Sequence, residues 1–333
     1  TRGAYEHETE GEGIRSWSVE QSLHLPMEYL ARSRAGRERT GQSRERLRHT
    51  RAKLIRDVRY AYNDVLHAQD QLALLEQLED TFRDVEKAGR LRHETGEGSY
   101  LEKVSARARY REIQLEVEEA RTLVENRQRT LAEALGVDAH VTLTPQSLAI
   151  RDFHRGIPGD SLSGNPELQW YRSVVAATRA EGAAVRSTTW PDPFFRYSRR
   201  AFNLDGGFHG FEIGLSVPLD AWSERGRNTA TRLEADQRAA EFLAAEQRVE
   251  TRYRNALEAW KTVRAEVDYY RDDRLQEARM ILKSATKQFR AGNIDYLSYV
   301  QYFNQATGIQ LDYLETVRRH NERVIEIEYL LGI

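Results

Sequence analysis

The sequence contains no cysteine and only two methionines among its 333 residues. The absence of cysteine excludes thiol catalysis, zinc–thiolate sites and disulfide bonds, and it does not distinguish the cytosol from the periplasm. No run approaches the ~20 apolar residues of a membrane-spanning helix, and residues 1–25 lack the basic and then apolar order of a signal peptide. The protein is therefore either soluble, or its leader is gone and any membrane contact is made by strands.

The chain also lacks a net charge of either sign. Its 50 basic and 52 acidic residues leave a formal charge of −2, and the two signs alternate along the sequence. Nucleic acid is therefore not predicted as a ligand, because there is no basic field to attract it. A charged fraction of 31% and a mean hydropathy of −0.72 favour long helices with a narrow apolar stripe over a round core.

Signatures of catalysis and metal binding are missing as well. The nine histidines are scattered, with no His-Glu-x-x-His motif and no pair on successive helical turns. The glycines of residues 206–210 join strand to strand, which is typical of a hairpin turn and not of a phosphate-binding loop. Carboxylates lie on charge-alternating helix faces, where no catalytic pair stands out. We expect no catalytic, cofactor or metal site, and no enzymatic activity.

What the sequence does contain is a duplication. Residues 96–101 (Gly-Glu-Gly-Ser-Tyr-Leu) recur as residues 292–297 (Gly-Asn-Ile-Asp-Tyr-Leu), and Leu135-Gly136 recurs as Leu331-Gly332. The second glycine follows the first by 40 residues in both copies (136 − 96 and 332 − 292). The interval from the preceding proline to the first glycine is 70 residues in one copy (96 − 26) and 74 in the other (292 − 218). A repeat of this length predicts a duplicated architecture.

Each copy is predicted to hold two long helices that meet at a glycine turn and end at a Leu-Gly stop. Apolar residues recur with coiled-coil spacing along these helices. In the first copy they are Leu75, Leu78, Phe82, Val85, Val117, Val124 and Leu131, and in the second Tyr253, Ala256, Trp260, Val263, Val267, Tyr270, Val317, Val324 and Leu331. We expect residues 1–136 to form a first, partial repeat with a turn at 95–99, and residues 165–333 a second repeat with a turn at 291–295.

Strands are predicted where the helical pattern stops. Residues 137–164 read as a linker with a short extended run at 141–143, and Asn165-Pro166-Glu167 opens a helix to about Arg186. Residues 194–217 then form a hairpin whose returning strand alternates apolar with polar or small residues. Residues 16–25 match that strand in the first copy, and residues 1–6 match a remnant of the outgoing strand. The helix expected before it is missing, so we expect the chain to begin inside the first repeat.

This order of elements, given twice, resembles the TolC-like outer membrane factors, which are the exit ducts of tripartite efflux pumps. The likeness extends from about Ser16 to Ile333 and is closest to the heavy-metal branch of the CusC and CzcC type, including copies fused to a metal pump of the resistance-nodulation-division (RND) type. It is carried by Ser-Val-Glu-Gln-Ser at 18–22, Leu-Arg-His-Glu-Thr-Gly-Glu-Gly at 91–98, Gly-Asn-Pro-Glu-Leu at 164–168 and Asn-Glu-Arg-Val-Ile-Glu-Ile-Glu-Tyr-Leu at 321–330.

The resemblance implies a mainly helical homotrimer in the outer membrane and periplasm of a Gram-negative bacterium. Three chains would close a twelve-stranded β-barrel in lipid, and their helices would continue beneath it as a hollow α-barrel. The duct would be passive and would open by untwisting of its periplasmic tip helices. A periplasmic adaptor (membrane fusion protein) and an inner-membrane RND pump would be its partners, and a heavy-metal cation its cargo.

The glycine turns would form the periplasmic tip that meets the adaptor. The residues that this assigns to the tip are Gly96, Glu97, Gly98, Ser99, Tyr100, Gly292, Asn293, Asp295 and Tyr296, with the two tyrosines as amphipathic anchors. Family members constrict the pore with carboxylates about six and nine residues after the second tip glycine. This chain has Ser298 and Gln301 there, whereas repeat 1 has Glu102 and Ser105. If Glu102 points inward, the constriction would be a single acidic ring.

Two alternatives accompany this hypothesis. The chain could be a soluble periplasmic coiled-coil scaffold or adaptor whose hairpins never meet lipid, because Arg196, Arg199, Arg200, Glu6 and Glu8 are many charges for a short barrel. The glycine turns could also be ordinary helical hairpin turns without a partner, since such turns need glycine in any case.

Overall fold

The computed structural model describes residues 14–23, 25–138, 146–153, 162–188, 191–202, 205–216 and 221–333. Most of them are helical, and a small antiparallel sheet accompanies the helices, so the predicted fold class is confirmed at this level. The elements in chain order are β1 (Ile14–Ser22), α1 (Pro26–Glu94), α2 (Tyr100–Leu135), α3 (Pro166–Ser187), β2 (Asp192–Phe202), β3 (Asp205–Ser216), α4 (Ala221–Tyr269), a π-helical turn (Tyr270–Arg274), α5 (Leu275–Arg290) and α6 (Tyr296–Leu331).

The chain divides into two compact units, and each draws on both halves of the duplication. The first unit comprises Thr1–His49 and Pro166–Arg248, and the second comprises Thr50–Asn165 and Val249–Ile333. Helices α1 and α4 contribute residues to both units. Sequence repeats and packing units are thus two different divisions of this chain.

The first unit holds the sheet, in the strand order β1-β2-β3. Strand β1 pairs antiparallel with β2, and Ile14 lies opposite Phe202. Strand β3 pairs antiparallel with β2, and Asp192 lies opposite Ser216. Residues 203–204 of the predicted turn, residues 1–13 and the Val-Pro pair at 217–218 lie outside the described residues.

The second unit is built around a core shared by α1, α2, α5 and α6. The four positions predicted for the apolar stripe of α1 are all buried, and the rings of Phe82 and Phe303 meet edge to face at 5.1 Å. The buried members of this core are Leu75, Leu78, Phe82, Val85, Ala106, Ile113, Val117, Ala120, Ala285, Tyr296, Tyr299 and Phe303.

Helices α2 and α6 both end at the glycines predicted to stop them. Gly136 and Gly332 have φ angles of +68° and +73°, and the amide of the residue after each glycine donates to the carbonyl five residues earlier. This is the Schellman arrangement, which satisfies carbonyls at a helix C-terminus.

The helix that leads to the second tip is not continuous, in contrast to the uninterrupted pattern of the sequence. Buried positions of α1 recur every seven residues, so Ala68 and Phe82 are 14 apart (82 − 68), whereas their counterparts Val263 and Ala278 are 15 apart (278 − 263). The extra residue is absorbed by the π-helical turn Tyr270–Arg274. A wide turn accommodates one inserted residue and keeps the apolar stripe on the same side above and below it.

Residues 146–153 of the linker are held within the second unit by hydrogen bonds. The amide of Leu148 donates to Asp70 Oδ2 at 2.8 Å. The side chain of Asn321 accepts a hydrogen bond from the Arg151 amide and donates one to the Ala149 carbonyl. Asn321 is buried, so these bonds satisfy a polar side chain that burial would otherwise destabilise. The extended run predicted at 141–143 lies outside the described residues.

Candidate functional site

The two glycine turns have the same backbone construction. Gly96 and Gly292 have φ angles of +79° and +72°, in the left-handed region that glycine adopts without steric cost. The following amide donates to the carbonyl five residues earlier in both turns, from Glu97 to Arg92 at 2.8 Å and from Asn293 to Gln288 at 2.9 Å. Helix α1 thus ends before residues 95–99, and α5 before residues 291–295, with the same Schellman motif.

The return helices begin with equivalent caps. The Ser99 hydroxyl accepts a hydrogen bond from the Glu102 amide at 3.1 Å, and the Asp295 carboxylate accepts one from the Ser298 amide at 2.8 Å. These bonds to Ser298 hold the pKa of Asp295 below its usual range, so the cap carries a negative charge at the positive end of α6. Glu97, Ser99, Asn293 and Asp295 are all exposed.

The two tyrosines of the predicted tip have different surroundings. Tyr100 is 68% exposed, and its ring lies 5.7 Å from that of His93 between centroids, in an edge-to-face arrangement. Tyr296 is 8% exposed and packs against Phe289, and burial raises the pKa of its hydroxyl to about 12. The structure therefore presents one of the two expected anchors on the surface and places the other in the core.

The turns also differ at their third residue. A Cβ atom at Gly98 would lie 3.0 Å from the Cβ of Arg92, so the first turn is closely packed against its own helix. The counterpart of Gly98 is Ile294, which lines an apolar groove of about 260 Å³ beside the second turn. The other residues of this groove are Met280, Ile281, Ser284, Ala285, Gln288 and Tyr302. Sequence patterns did not single it out, because its members come from α5, the turn and α6.

The residues predicted to constrict a pore are distributed over the two hairpins. Glu102 is only 14% exposed and forms an ion pair with Arg92 of the same hairpin at 3.2 Å. Ser298 is half-buried and Gln301 is exposed, both on α6. The negative charge of Glu102 is thus compensated locally by a guanidinium.

The sheet has one apolar face that is open to its surroundings. The strand register places Phe211 and Ile213 beside Tyr197 and Phe195, with Val19 next to Tyr197 on β1. Ile213 is 83% exposed and Phe211 is 72% exposed. The alternation predicted for the returning strand is therefore present as an exposed apolar surface.

The opposite face carries a charged row across all three strands. Glu20, Arg196 and Glu212 are direct cross-strand neighbours, and Arg196 donates to Glu20 Oε2 from Nε at 2.9 Å and to Glu212 Oε2 from Nη1 at 2.8 Å. Arg196, one of the charges that favoured a soluble location, is thus paired on the face opposite the apolar one. Arg199 and Arg200 are exposed, and residues 6 and 8 lie outside the described residues.

The described residues provide neither a helix that could span a membrane nor a cluster of metal ligands. No described helix contains a stretch long and apolar enough to cross a membrane. No group of three or more histidine, aspartate or glutamate side chains in that part of the chain could hold a metal ion.

Comparison with known proteins gives this arrangement a context. The family model "Outer membrane efflux protein" matches residues 1–137. No curated protein matches the chain by sequence. The family match thus concerns residues 1–137. The fold of the whole chain is established by comparison with solved structures.

Solved structures of outer membrane channels share the fold over nearly the whole chain. The Campylobacter jejuni CmeC outer membrane channel superposes with a TM-score of 0.84 at 14% identity, covering 99% of this chain and 75% of that one. The open state of the Neisseria gonorrhoeae MtrE outer membrane channel gives 0.82 at 15% identity, covering 99% and 79%. CusC, described for its folding and transmembrane channel formation, gives 0.81 at 15% identity, covering 99% and 81%. The chain has the fold of these channels.

Proposed function

We propose that this chain is the outer membrane exit duct of a tripartite efflux system and works as a homotrimer. The observation that carries the proposal is the exposed apolar face of the sheet, on a chain with the fold of outer membrane channels. An exposed apolar strand surface is unfavourable in water, whereas the same surface is stable in contact with lipid.

The strands have suitable dimensions for crossing a bilayer. They contain 9, 11 and 12 residues, and a tilted transmembrane strand needs about 9–11. In a twelve-stranded barrel made by three chains, the face of Phe211 and Ile213 would meet lipid. The Glu20–Arg196–Glu212 row would then face the water-filled lumen, where paired charges are tolerated.

The tip of the duct lies at the two glycine turns in this proposal. The exposed polar side chains of Glu97, Ser99, Asn293 and Asp295 would contact the periplasmic adaptor, and Tyr100 would be its surface anchor. Gly96, Gly98 and Gly292 would shape the turns, while Tyr296 would support the second one from the core. The pore would be narrowed near Glu102, Ser298 and Gln301, and the ion pair with Arg92 makes an acidic ring at Glu102 weak.

The pump and its cargo form the finest part of the proposal. The heavy-metal branch and an RND partner are supported by the sequence segments that resemble it, and a metal cation would be cargo passing through the duct. The proposed mechanism is a conduit opened by rearrangement of tip helices, with no chemistry of its own.

A single charged residue tests the membrane location. Ile213→Arg puts a charge on the apolar face, which costs about 2–4 kcal/mol at the middle of a bilayer, and should remove the protein from the outer membrane fraction. Ser216→Arg, on the same strand and the opposite face, is the matched control and should insert normally.

The alternative of a soluble periplasmic scaffold is favoured by one observation, the exposed Arg199 on the same side of β2 as Tyr197. That alternative predicts a protein that stays monodisperse in plain buffer, with Ile213→Arg behaving like Ser216→Arg. An outer membrane duct instead requires detergent once it has been extracted.

A further inference from the structure

The apolar face of the sheet ends along one row of residues that the strand register aligns across all three strands. Trp17 of β1 lies opposite Arg199 of β2, and Arg199 lies opposite His209 of β3. All three side chains are exposed, and direct cross-strand neighbours have Cβ atoms about 4.5–5.5 Å apart. We call Trp17, Arg199 and His209 the boundary row.

The boundary row separates the apolar part of this face from the turn between β2 and β3. Toward the strand ends that lead into helices, the aligned positions are apolar or aromatic apart from Gln21, and they include Val19, Phe195, Tyr197, Phe211, Ile213 and Leu215. In the other direction β2 ends three residues after Arg199 (202 − 199). The pattern of the face therefore changes at the same level in three strands that are far apart in sequence.

The guanidinium of Arg199 has no carboxylate partner among the residues that the structure describes. Its cross-strand neighbours are an indole and an imidazole. Arg196, on the opposite face of the same strand, instead lies between Glu20 and Glu212 and donates to both. A charge on the lipid face of a barrel is costly at the middle of the bilayer and is tolerated near the headgroups. Arg199 is therefore suited to the level at which lipid headgroups supply an anion.

The two neighbours of Arg199 suit that level as well. His209 Nδ1 lies within hydrogen-bond distance of the Tyr197 hydroxyl, and the two rings are stacked with centroids 5.9 Å apart. In the tautomer that accepts from this hydroxyl, the imidazole carries its proton on Nε2 and can donate it to a ligand. Trp17 meets the edge of the Tyr197 ring at 5.3 Å, and tryptophan is enriched at the boundary between lipid and water.

We propose that the boundary row binds the phosphate group of a lipid in the outer leaflet, whose acyl chains lie along Tyr197, Phe211 and Ile213. The inference rests on the proposed function, in which the helices are periplasmic and the turn between β2 and β3 is therefore on the outer side. A guanidinium beside a second N–H donor matches the oxygens of a phosphate, and the apolar face continues directly from these donors. Arg199, the residue that favoured a soluble scaffold, becomes the main ligand of the headgroup.

Lipid binding by the trimer in detergent tests the site without any substitution. The full chain is extracted and incubated with lipid A, a phosphorylated lipid of the outer leaflet, or with lipid A from which the phosphates have been removed. Native mass spectrometry then measures how much of each lipid stays on the trimer. The phosphorylated form should bind about tenfold more tightly, because hydrogen bonds between charged groups are the strong ones. Equal binding of the two forms would overturn the proposal.

The source of the phosphate is tested in the same mixture. Inorganic phosphate at the concentration of the lipid should leave lipid A on the trimer, because it has no acyl chains to contact the apolar face. Displacement of lipid A by inorganic phosphate would overturn the assignment of the site to a lipid.

Two substitutions that remove the same charge locate the site. Arg199→Gln should lower the affinity for phosphorylated lipid A about tenfold, to the level of the dephosphorylated form. Arg200→Gln is the matched control and should bind like the unchanged chain, because Arg200 is the next residue, is also exposed and lies on the opposite face of β2. Equal affinities of the two variants would overturn the proposal.

A third substitution tests the second donor. His209→Phe keeps an aromatic ring beside Tyr197 and removes the N–H group, so the affinity for phosphorylated lipid A should fall about fivefold while that for the dephosphorylated form stays the same. An equal fall for both forms would assign His209 to apolar packing and overturn its role as a phosphate ligand.

The outcomes separate this inference from the proposed function. A trimer that requires detergent and binds both forms of lipid A equally overturns the phosphate site and leaves the duct intact. A chain that is monodisperse in plain buffer, with Ile213→Arg behaving like Ser216→Arg, overturns both.

Discussion

Helices α2 and α6 occupy the same place in the two repeats, yet they differ in burial. Each has 36 residues, a side-chain oxygen that caps its N-terminus and a glycine in the left-handed conformation after its C-terminus. Helix α2 buries six residues, whereas α6 buries sixteen. The duplication thus determines local structure in both copies, while burial depends on neighbours. Helix α6 contacts α5 and α2 in the shared core, α4 through His320 and α1 through Asn321, whereas α2 packs mainly against α1 and touches α6.

The largest test of this comparison uses Phe303, which lies in the core, and its repeat counterpart Arg107, which is exposed (303 − 196 = 107). Phe303→Ala should lower the free energy of unfolding by about 3–5 kcal/mol, because it leaves a cavity beside Phe82. Arg107→Ala should change it by less than about 0.5 kcal/mol. Chemical denaturation followed by circular dichroism measures both, and equal losses would contradict the difference between the helices.

A smaller effect is expected at the buried amides. Asn321→Ala should cost about 1–3 kcal/mol, because Asn63, the Ala149 carbonyl and the Arg151 amide lose a partner where water is excluded. Glu125→Ala, at the same repeat position on α2, is the control and should leave monomer stability nearly unchanged. The same denaturation midpoints report it, and a stable Asn321→Ala would show that the amide pair is dispensable.

The two tip glycines should respond alike to substitution by alanine, because their turns have the same backbone construction. This sharpens the comparison by identifying a region in which the repeats do not differ. Gly96→Ala and Gly292→Ala meet open space, so the only cost is the left-handed backbone, about 1–2 kcal/mol in each. Thermal unfolding of the two variants side by side measures this, and a much larger loss at one turn would mean that the turns are not equivalent.

The smallest effect is a pH dependence at His320 of α6, whose repeat counterpart on α2 is Val124 (320 − 196 = 124). Trp260 Nε1 donates to His320 Nε2 at 3.2 Å, and burial lowers the pKa of His320 from its ordinary value of 6.5. The unfolded chain therefore binds this proton first, and stability should fall as the pH drops below about 6.5. His320→Gln keeps an acceptor for Trp260 and should show a shallower decline in melting temperature between pH 8 and pH 5; an identical slope would assign the effect to another group.

Sequence reasoning reached those parts of the molecule that depend on local chemistry. The stripe at Leu75, Leu78, Phe82 and Val85, the glycine stops and the alternation at Phe211 and Ile213 follow from spacing and residue type alone. The Glu20–Arg196–Glu212 row could not be predicted, because it needs the register of strands that are far apart in sequence. The buried position of Tyr296 was missed for a similar reason, since the cue lay in Phe289, Tyr299 and Phe303 around it and not in the turn motif.

The π-helical turn has a consequence for the insertion and deletion of residues during the evolution of such a helix. An added residue in a regular helix turns everything after it by about 100°, which would expose the apolar stripe between Tyr270 and the second tip. Here the extra residue is confined to one widened loop of backbone, so the later side chains keep their orientation. A long helix with such a turn can therefore accommodate the insertion of a single residue during evolution. One repeat can then differ in length from the other while its apolar stripe still packs in the core.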